Sequence, residues 1–338
     1  MKNIYYLFLG MVVAICCVSC NNEWEDEQYL HMASFKANVN AQGVTTTYVR
    51  YKPGGVVQYK LPIIISGSTV SDRPLNIQIA LDPDTLAVLN QNVYGHRQEL
   101  YFQQLPSQYY NMSETVEIPA GETTGVLPID FKLTEDLDQA DKWVLPLQIV
   151  DDPSLGYKAN PRKYFRRAML RLLPFNDYSG TYDAAQYLIH FKTDVDNKEP
   201  FTVSEQRAFV VDDRTVFIYA GTRDIDYLDR KLYKIFIRFP EEGNDTKQLE
   251  VWAENDELNF GPLTDADGKP LAFQSNFSMY SEMDELKPYL KKIFITMNLY
   301  YEFDDYTTVP GKRIRYKVQG SLSMQRNLNT LIPDEDQQ

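Results

Sequence analysis

Cysteine is nearly absent from this 338-residue chain: there are three, Cys16, Cys17 and Cys20, and none after them. A disulfide framework or a thiolate metal site in the body of the protein is therefore excluded. Histidine is equally scarce. His31, His96 and His190 lie far apart and in no metal-binding spacing. No HExxH, no G-x-S-x-G nucleophile elbow and no phosphate-cradling glycine loop occurs, so no catalytic residue, metal or cofactor is assigned. Positive charge is also in deficit, with 34 Lys and Arg against 47 Asp and Glu for a net charge of -13. Such a chain has no basic excess to displace counterions from a nucleic-acid backbone, which removes nucleic acid as a partner. Gly (16) and Pro (18) are too few for collagen-like or low-complexity chains. What the sequence does have is apolar and aromatic content: 43% hydrophobic and 13% aromatic residues, with 24 Tyr and 17 Phe. That is too much for a disordered chain and suits about two domains.

The first thirty residues read as targeting. Met1-Lys2-Asn3 precedes an apolar run from Ile4 to Val18, and Ser19-Cys20 follows. One positive charge, a short apolar core and small residues before a cut site make a secretory signal. The run is too short to favour a lasting transmembrane helix. Cys17-Val18-Ser19-Cys20 resembles the bacterial lipobox, with Cys17 in the usual place of Leu. The resemblance implies that residues 1–19 are a lipoprotein signal peptide and that Cys20 is the lipidated mature N-terminus. Buried methylenes at about 0.8 kcal/mol each make such an anchor effectively permanent. Residues 20–30 form an acidic tether in which Glu23, Glu25, Asp26 and Glu27 resemble the export signal of Bacteroidetes surface lipoproteins. The expected location is the outer membrane, lipid-anchored, at the cell surface.

Past the tether, strand follows strand. Tyr59, Leu61, Ile63 and Ile65 alternate, as do Leu75, Ile77, Ile79 and Leu81, then Leu127, Ile129, Phe131 and Leu133, then Trp143, Leu145, Leu147 and Ile149. A period of two with turn signals between runs predicts half-buried antiparallel strands and a sandwich. One helix is predicted at residues 82–89, with Asp82 as N-cap and Pro83 at the first helical position. A boundary falls near Leu173-Pro174-Phe175. A second aromatic strand series follows, including residues 216–220, 232–237, 249–253, 293–303 and 314–324. A helical turn is predicted from Ser281, with Asp284 completing a capping box and Pro288 limiting it. The expected fold is all-β: an Ig-like β-sandwich over 31–174, then a lipocalin-like antiparallel β-barrel or a second sandwich over 175–338.

Two segments carry a family resemblance. Residues 115–125 with 143–149 (TVEIPAGETTG and WVLPLQI) resemble an N-terminal domain of unknown function common in Bacteroides lipoproteins. That domain precedes the catalytic module in some family-eighteen endo-glycosidases and elsewhere stands beside binding modules. Residues 320–324 with 329–336 (GSLSM and NTLIPDED) resemble the end of a second Bacteroides domain of unknown function. The two resemblances span about residues 30–338. They imply a component of a polysaccharide-utilisation system, with glycan as ligand and an outer-membrane importer and companion lipoproteins as partners. The reading is a surface lipoprotein that binds glycan or scaffolds its uptake without catalysis. The alternatives are a glycoside hydrolase with dispersed carboxylates and a purely structural partner of the importer.

Sugar binding calls for exposed flat rings with polar groups nearby. Trp252 shares a face with Glu250 and Glu254, and Tyr300 shares one with Thr296, Asn298 and Glu302. Tyr109 and Tyr110 fall in a loop after Pro106. These four are the glycan-binding candidates. Trp143 reads as core. Asp84-Thr85-Leu86 resembles the Bacteroides O-glycosylation site, which implies Thr85 as a modification point. Residues 223–229 (RDIDYLD) read as a charged connecting loop, and Asp265-Ala266-Asp267-Gly268 as a tight turn before a calcium loop, because Asn276 stands where a calcium-binding Glu is needed.

Overall fold

The computed structural model describes residues 31–332, apart from positions 53, 135, 242, 244 and 245. The signal peptide, Cys20 and the acidic tether lie outside the described residues.

The first unit is a sandwich. One sheet runs in the order β10 (Tyr157–Ala159), β1 (His31–Phe35), β3 (Val56–Ser66), β8 (Thr124–Lys132), β6 (Tyr110–Met112). The other runs β2 (Thr45–Arg50), β11 (Arg167–Phe175), β9 (Lys142–Ile149), β4 (Leu75–Leu81), β7 (Thr115–Ile118), with β5 (Phe102–Gln104) beside β9. The alternating residues of β3, β4, β8 and β9 meet in one core that includes Leu61, Ile63, Ile77, Leu127, Ile129 and Leu147. Trp143 packs half-buried at its margin, and its indole donates to the Asp138 carbonyl at 2.8 Å. The expectation of antiparallel pairing throughout is corrected at three places. β1–β10, β2–β11 and β5–β9 are parallel. Side chains alternate with period two in either arrangement, so the pattern does not reveal strand direction.

The predicted helix is present as α1 (Pro83–Tyr94) and runs beyond residue 89. Asp82 caps it, accepting from the Thr85 N–H at 3.1 Å and pairing with Arg167 at 2.7 Å. Burial opposes the Asp82 charge, but these partners outweigh it and hold the carboxyl below its usual range. Leu86, Leu89 and Tyr94 cover Val144 and Met169 on the outer face of the second sheet. This extra apolar stripe explains why the helix outlasts its local signal.

The second unit is a curled antiparallel sheet. Its order is β17 (Glu250–Trp252), β16 (Lys234–Arg238), β15 (Thr215–Tyr219), β14 (Glu205–Val210), β12 (Gly180–Phe191), β20 (Ile314–Asn329), β19 (Leu290–Asp305), β18 (Asn276–Met283), with β13 (Phe201–Thr202) beside β12. The two edges meet at the bridge between Gln248 and Asn276, where Phe277 N–H donates to the Lys247 carbonyl at 2.9 Å. The sheet thus closes as a barrel. Unlike a lipocalin calyx, its interior is filled by Tyr182, Tyr187, Met297, Leu299 and Tyr301. The hydroxyls of Tyr187 and Tyr301 bond to each other there. The predicted helical turn at Ser281 is absent: Ser281 lies in β18, and Asp284 instead accepts from Leu286 and Lys287 N–H in the turn before β19. The β18–β19 ladder pairs residues 276–283 with 291–298 and overrides the local cap signal.

Charged pairs fasten the two units together. Lys142, buried in the sandwich, bonds Asp226 at 2.7 Å, and Lys234 bonds Asp138 at 2.6 Å. The buried Arg230 donates to the carbonyls of Ala140 and Glu99. Beneath them Ala140 packs with Phe209, Phe217, Tyr219 and Phe236.

Candidate functional site

The loop from β15 to β16 is the charged segment 223–229, and it folds back over one end of the barrel. Gly221 starts it at φ +65°, a conformation that favours glycine, and a Cβ there would lie 2.9 Å from the Phe303 ring. Close approach at this point carries Arg223 under the loop. The Arg223 guanidinium lies 3.4 Å from the Tyr233 ring centroid. Its Nη2 donates to Asp229 at 3.2 Å and to Asp305 at 3.1 Å. Burial works against the Arg223 charge, yet Asp229, Tyr233 and Asp305 raise its pKa above the ordinary value. The Arg223 bonds to Asp229, Asp305, Thr307 and Thr308 run from Nε and Nη2, and Nη1 has no hydrogen bond among the described residues.

Asp305 completes the base. It accepts from the Tyr233 hydroxyl at 3.0 Å, the Thr307 and Thr308 N–H groups at 3.1 Å and the Thr308 hydroxyl at 2.7 Å. Desolvation pushes its pKa up, but these donors and Arg223 bring it down to about 2. A carboxyl so held is ionised near neutral pH and is a poor proton donor, so it is not set up as a general acid.

Aromatic rings form the wall. Phe191, Tyr316 and Phe303 oppose one another across β12, β20 and β19. Tyr316 is stacked between its neighbours, at 5.2 Å from Phe191 and 5.4 Å from Phe303. Phe201 on β13 stands edge-on to Phe191 at 5.1 Å. Phe201 and Tyr227 are 41% and 43% exposed, which leaves ring surface for a ligand. Phe201, Tyr227, Phe303 and Tyr316 line a cavity of about 170 Å³ together with Thr222, Arg223 and Thr308. Rings accept the C–H faces of a sugar, and hydroxyl and guanidinium groups pair with its hydroxyls.

The candidates named from sequence do not gather here. Trp252 lies on the outside of the barrel, stacked on Phe236 at 5.4 Å with the Arg238 guanidinium 4.9 Å from its centroid. Tyr300 is also on the outside, stacked on the exposed Phe273 at 5.4 Å. Tyr109 is buried, not in an open loop: its hydroxyl donates to Asp136 at 2.7 Å, and its ring packs in the sandwich core, which withdraws it as a platform. Tyr110 packs half-buried against the same core. Thr85 sits in the first turn of α1. In the tight turn at 265–268, Asp265 accepts from the Asp267 and Lys269 N–H groups. Among the described residues no three His, Cys, Asp or Glu converge to hold a metal. The sequence reading missed Phe191, Phe201, Tyr316 and Arg223. An arginine opening an acidic loop was the available signal; the aromatic row exists only once three strands are paired.

A sandwich followed by a packed barrel, with an aromatic cup at the barrel mouth, defines a two-domain all-β protein. The domain of unknown function DUF4973 matches residues 24–153, and a model described only as a C-terminal domain matches residues 166–323. A Bacteroides ovatus protein of unknown function is 37% identical, with a TM-score of 0.77 over 91% of this chain and 96% of its own. A multidomain Bacteroides ovatus protein that includes DUF1735 is 38% identical, with a TM-score of 0.77 over 92% and 99%. An auxiliary nutrient binding protein from Bacteroides thetaiotaomicron is 36% identical, with a TM-score of 0.77 over 89% and 98%. The chain belongs to this family of two-domain Bacteroides proteins. No curated protein matches it.

Proposed function

We propose that the protein is a lipid-anchored, non-catalytic glycan-binding protein of the outer cell surface, working beside an outer-membrane importer in a polysaccharide-utilisation system. The observation that carries this reading is the barrel-mouth cup, in which the exposed rings of Phe201 and Tyr227 line one cavity with Arg223. The description of one 36% identical relative as an auxiliary nutrient binding protein supports it. Binding without turnover is supported by the base of the cup, where Asp229 and Asp305 are both tied to one arginine.

Titration of neutral oligosaccharides into the purified protein tests the site. Phe201→Ala removes an exposed wall and is expected to weaken binding about tenfold, the scale of one aromatic contact, while leaving the melting temperature near wild type. Unchanged affinity in that variant removes the cup from the account. For the anchor, Cys20→Ala is expected to move the protein from the membrane fraction to the soluble one and to strip the acyl mass from its N-terminus. Retention in the membrane with unchanged mass ends the lipoprotein reading.

A further inference from the structure

A separate cavity of about 320 Å³ lies between the sandwich and the barrel. Tyr48, Phe175 and Phe209 give it aromatic walls, and Arg50, Arg207 and Arg326 line it. A chain of net charge -13 thus gathers guanidinium groups in one cleft. Arg50 and Arg326 both face Asp177, at 2.9 and 3.9 Å, and Arg326 also donates to the Asn176 and Ser179 carbonyls. Both also lie over the Phe175 ring, at 5.3 and 5.7 Å from its centroid. The Arg207 side chain makes no hydrogen bond or ion pair among the described residues, and its guanidinium lies 5.5 Å from the Phe209 ring centroid. Arg171 stands on the same outward face of β11 as the cleft residues Leu173 and Phe175, and its Nε is buried without a partner. Burial first, and then the charge of Arg207, pull the Arg171 pKa down.

Opposing acids are few at this spot. Glu205, Asp224 and Asp226 line the adjoining groove that Arg207 also borders, and Asp226 is already taken by Lys142. The Arg171 and Arg207 guanidinium groups each lie against a ring, Phe102 for Arg171 and Phe209 for Arg207, but neither side chain has a hydrogen bond among the described residues, and an anion would complete the pair. The planar fork of arginine fits a carboxylate or sulfate with two parallel bonds. Rings beside it fit the apolar face of a sugar.

We infer that the interdomain cleft is a second binding site, one for a saccharide bearing a carboxylate or sulfate group, with Arg207 making the principal contact. The inference does not depend on the barrel-mouth reading. It is tested by calorimetry on the purified full-length protein with three probes: a trigalacturonate, its fully methyl-esterified form, and a sulfated chondroitin disaccharide. The charged probes are expected to bind and the ester not. Affinity for them falls as salt is raised, and Arg207→Ala weakens it about tenfold or more, the loss of a charge-assisted bond. Arg207→Lys, which keeps the charge but loses the fork, is expected to recover only part of it. Equal binding of acid and ester, no binding of either charged probe at millimolar concentration, or an unaltered affinity in a folded Arg207→Ala variant each overturns the inference. Neutral glycans titrate the barrel mouth in a separate arm, so either site can fail without the other. A preference between the two charged probes tells carboxylate from sulfate.

Discussion

Arg223→Met is expected to lower the unfolding free energy by about 3 kcal/mol and to abolish glycan binding. The side chain is 5% exposed and answers two carboxylates, Asp229 through Nε and Nη2 and Asp305 through Nη2. Methionine fills much of the same volume but leaves Asp305 charged in a buried position, and breaking a buried pair costs about 3–5 kcal/mol. The lower end applies because the Tyr233 and Thr308 hydroxyls and two backbone N–H groups still reach Asp305. Urea unfolding at pH 7 measures the loss. The same network predicts acid sensitivity. Asp305 has a folded pKa of about 2 against an ordinary value of 3.8. A depressed carboxyl contributes its stability above the unfolded pKa, here about 2 kcal/mol. That contribution is lost as pH falls from about 4 toward 2. In Arg223→Met the acid-induced loss is expected to shrink, because part of the depression comes from Arg223. A variant as stable as wild type at pH 7 contradicts this account of the base of the cup.

The second large effect is expected at Gly320, where alanine should destabilise the barrel by more than about 4 kcal/mol, a size reserved for specific structural faults. Gly320 has φ +137°, and a Cβ built there would lie 1.8 Å from the Gln186 carbonyl oxygen. It sits opposite Tyr187, beside the point where the β12–β20 register shifts between Asp183 and Gln186. The backbones approach closely because no side chain separates them, and neither strand can yield without breaking its ladder. Gly261→Ala is the control: nothing lies within 4 Å of its Cβ position, so its effect should stay within about 0.5 kcal/mol. Thermal melts of the two variants check the contrast. Similar melts would mean that the close approach at Gly320 is not a constraint.

The all-β character was legible because Leu61, Ile63, Ile129 and Leu147 announce buried faces by their spacing alone. The helix after Asp82 was legible for the same reason: cap and proline act within a few residues. The parallel pairs were not, since Thr45–Arg50 lies beside residues 170–175 and nothing local marks a partner so distant in sequence. Strand β12 escaped as well. Its burial alternates only in part, and it contains the register shift at 183–186. The site suffered most. Trp252 and Tyr300 drew attention as rings on polar faces, yet each is stacked on a neighbouring aromatic. The cup is made from strand ends, β12, β13, β19 and β20, whose rings meet only after the sheet curls. Arg223 and Asp305, 82 positions apart, meet for the same reason.

The account turns on a mouth of the barrel that holds sugar and does not cut it. Titrating the purified protein with a panel of neutral oligosaccharides, and assaying the same mixtures for new reducing ends, tests both halves at once. Saturable binding that drops in Phe201→Ala, with no reducing ends released, is the predicted result. Release of reducing ends, or silence across the whole panel, contradicts it.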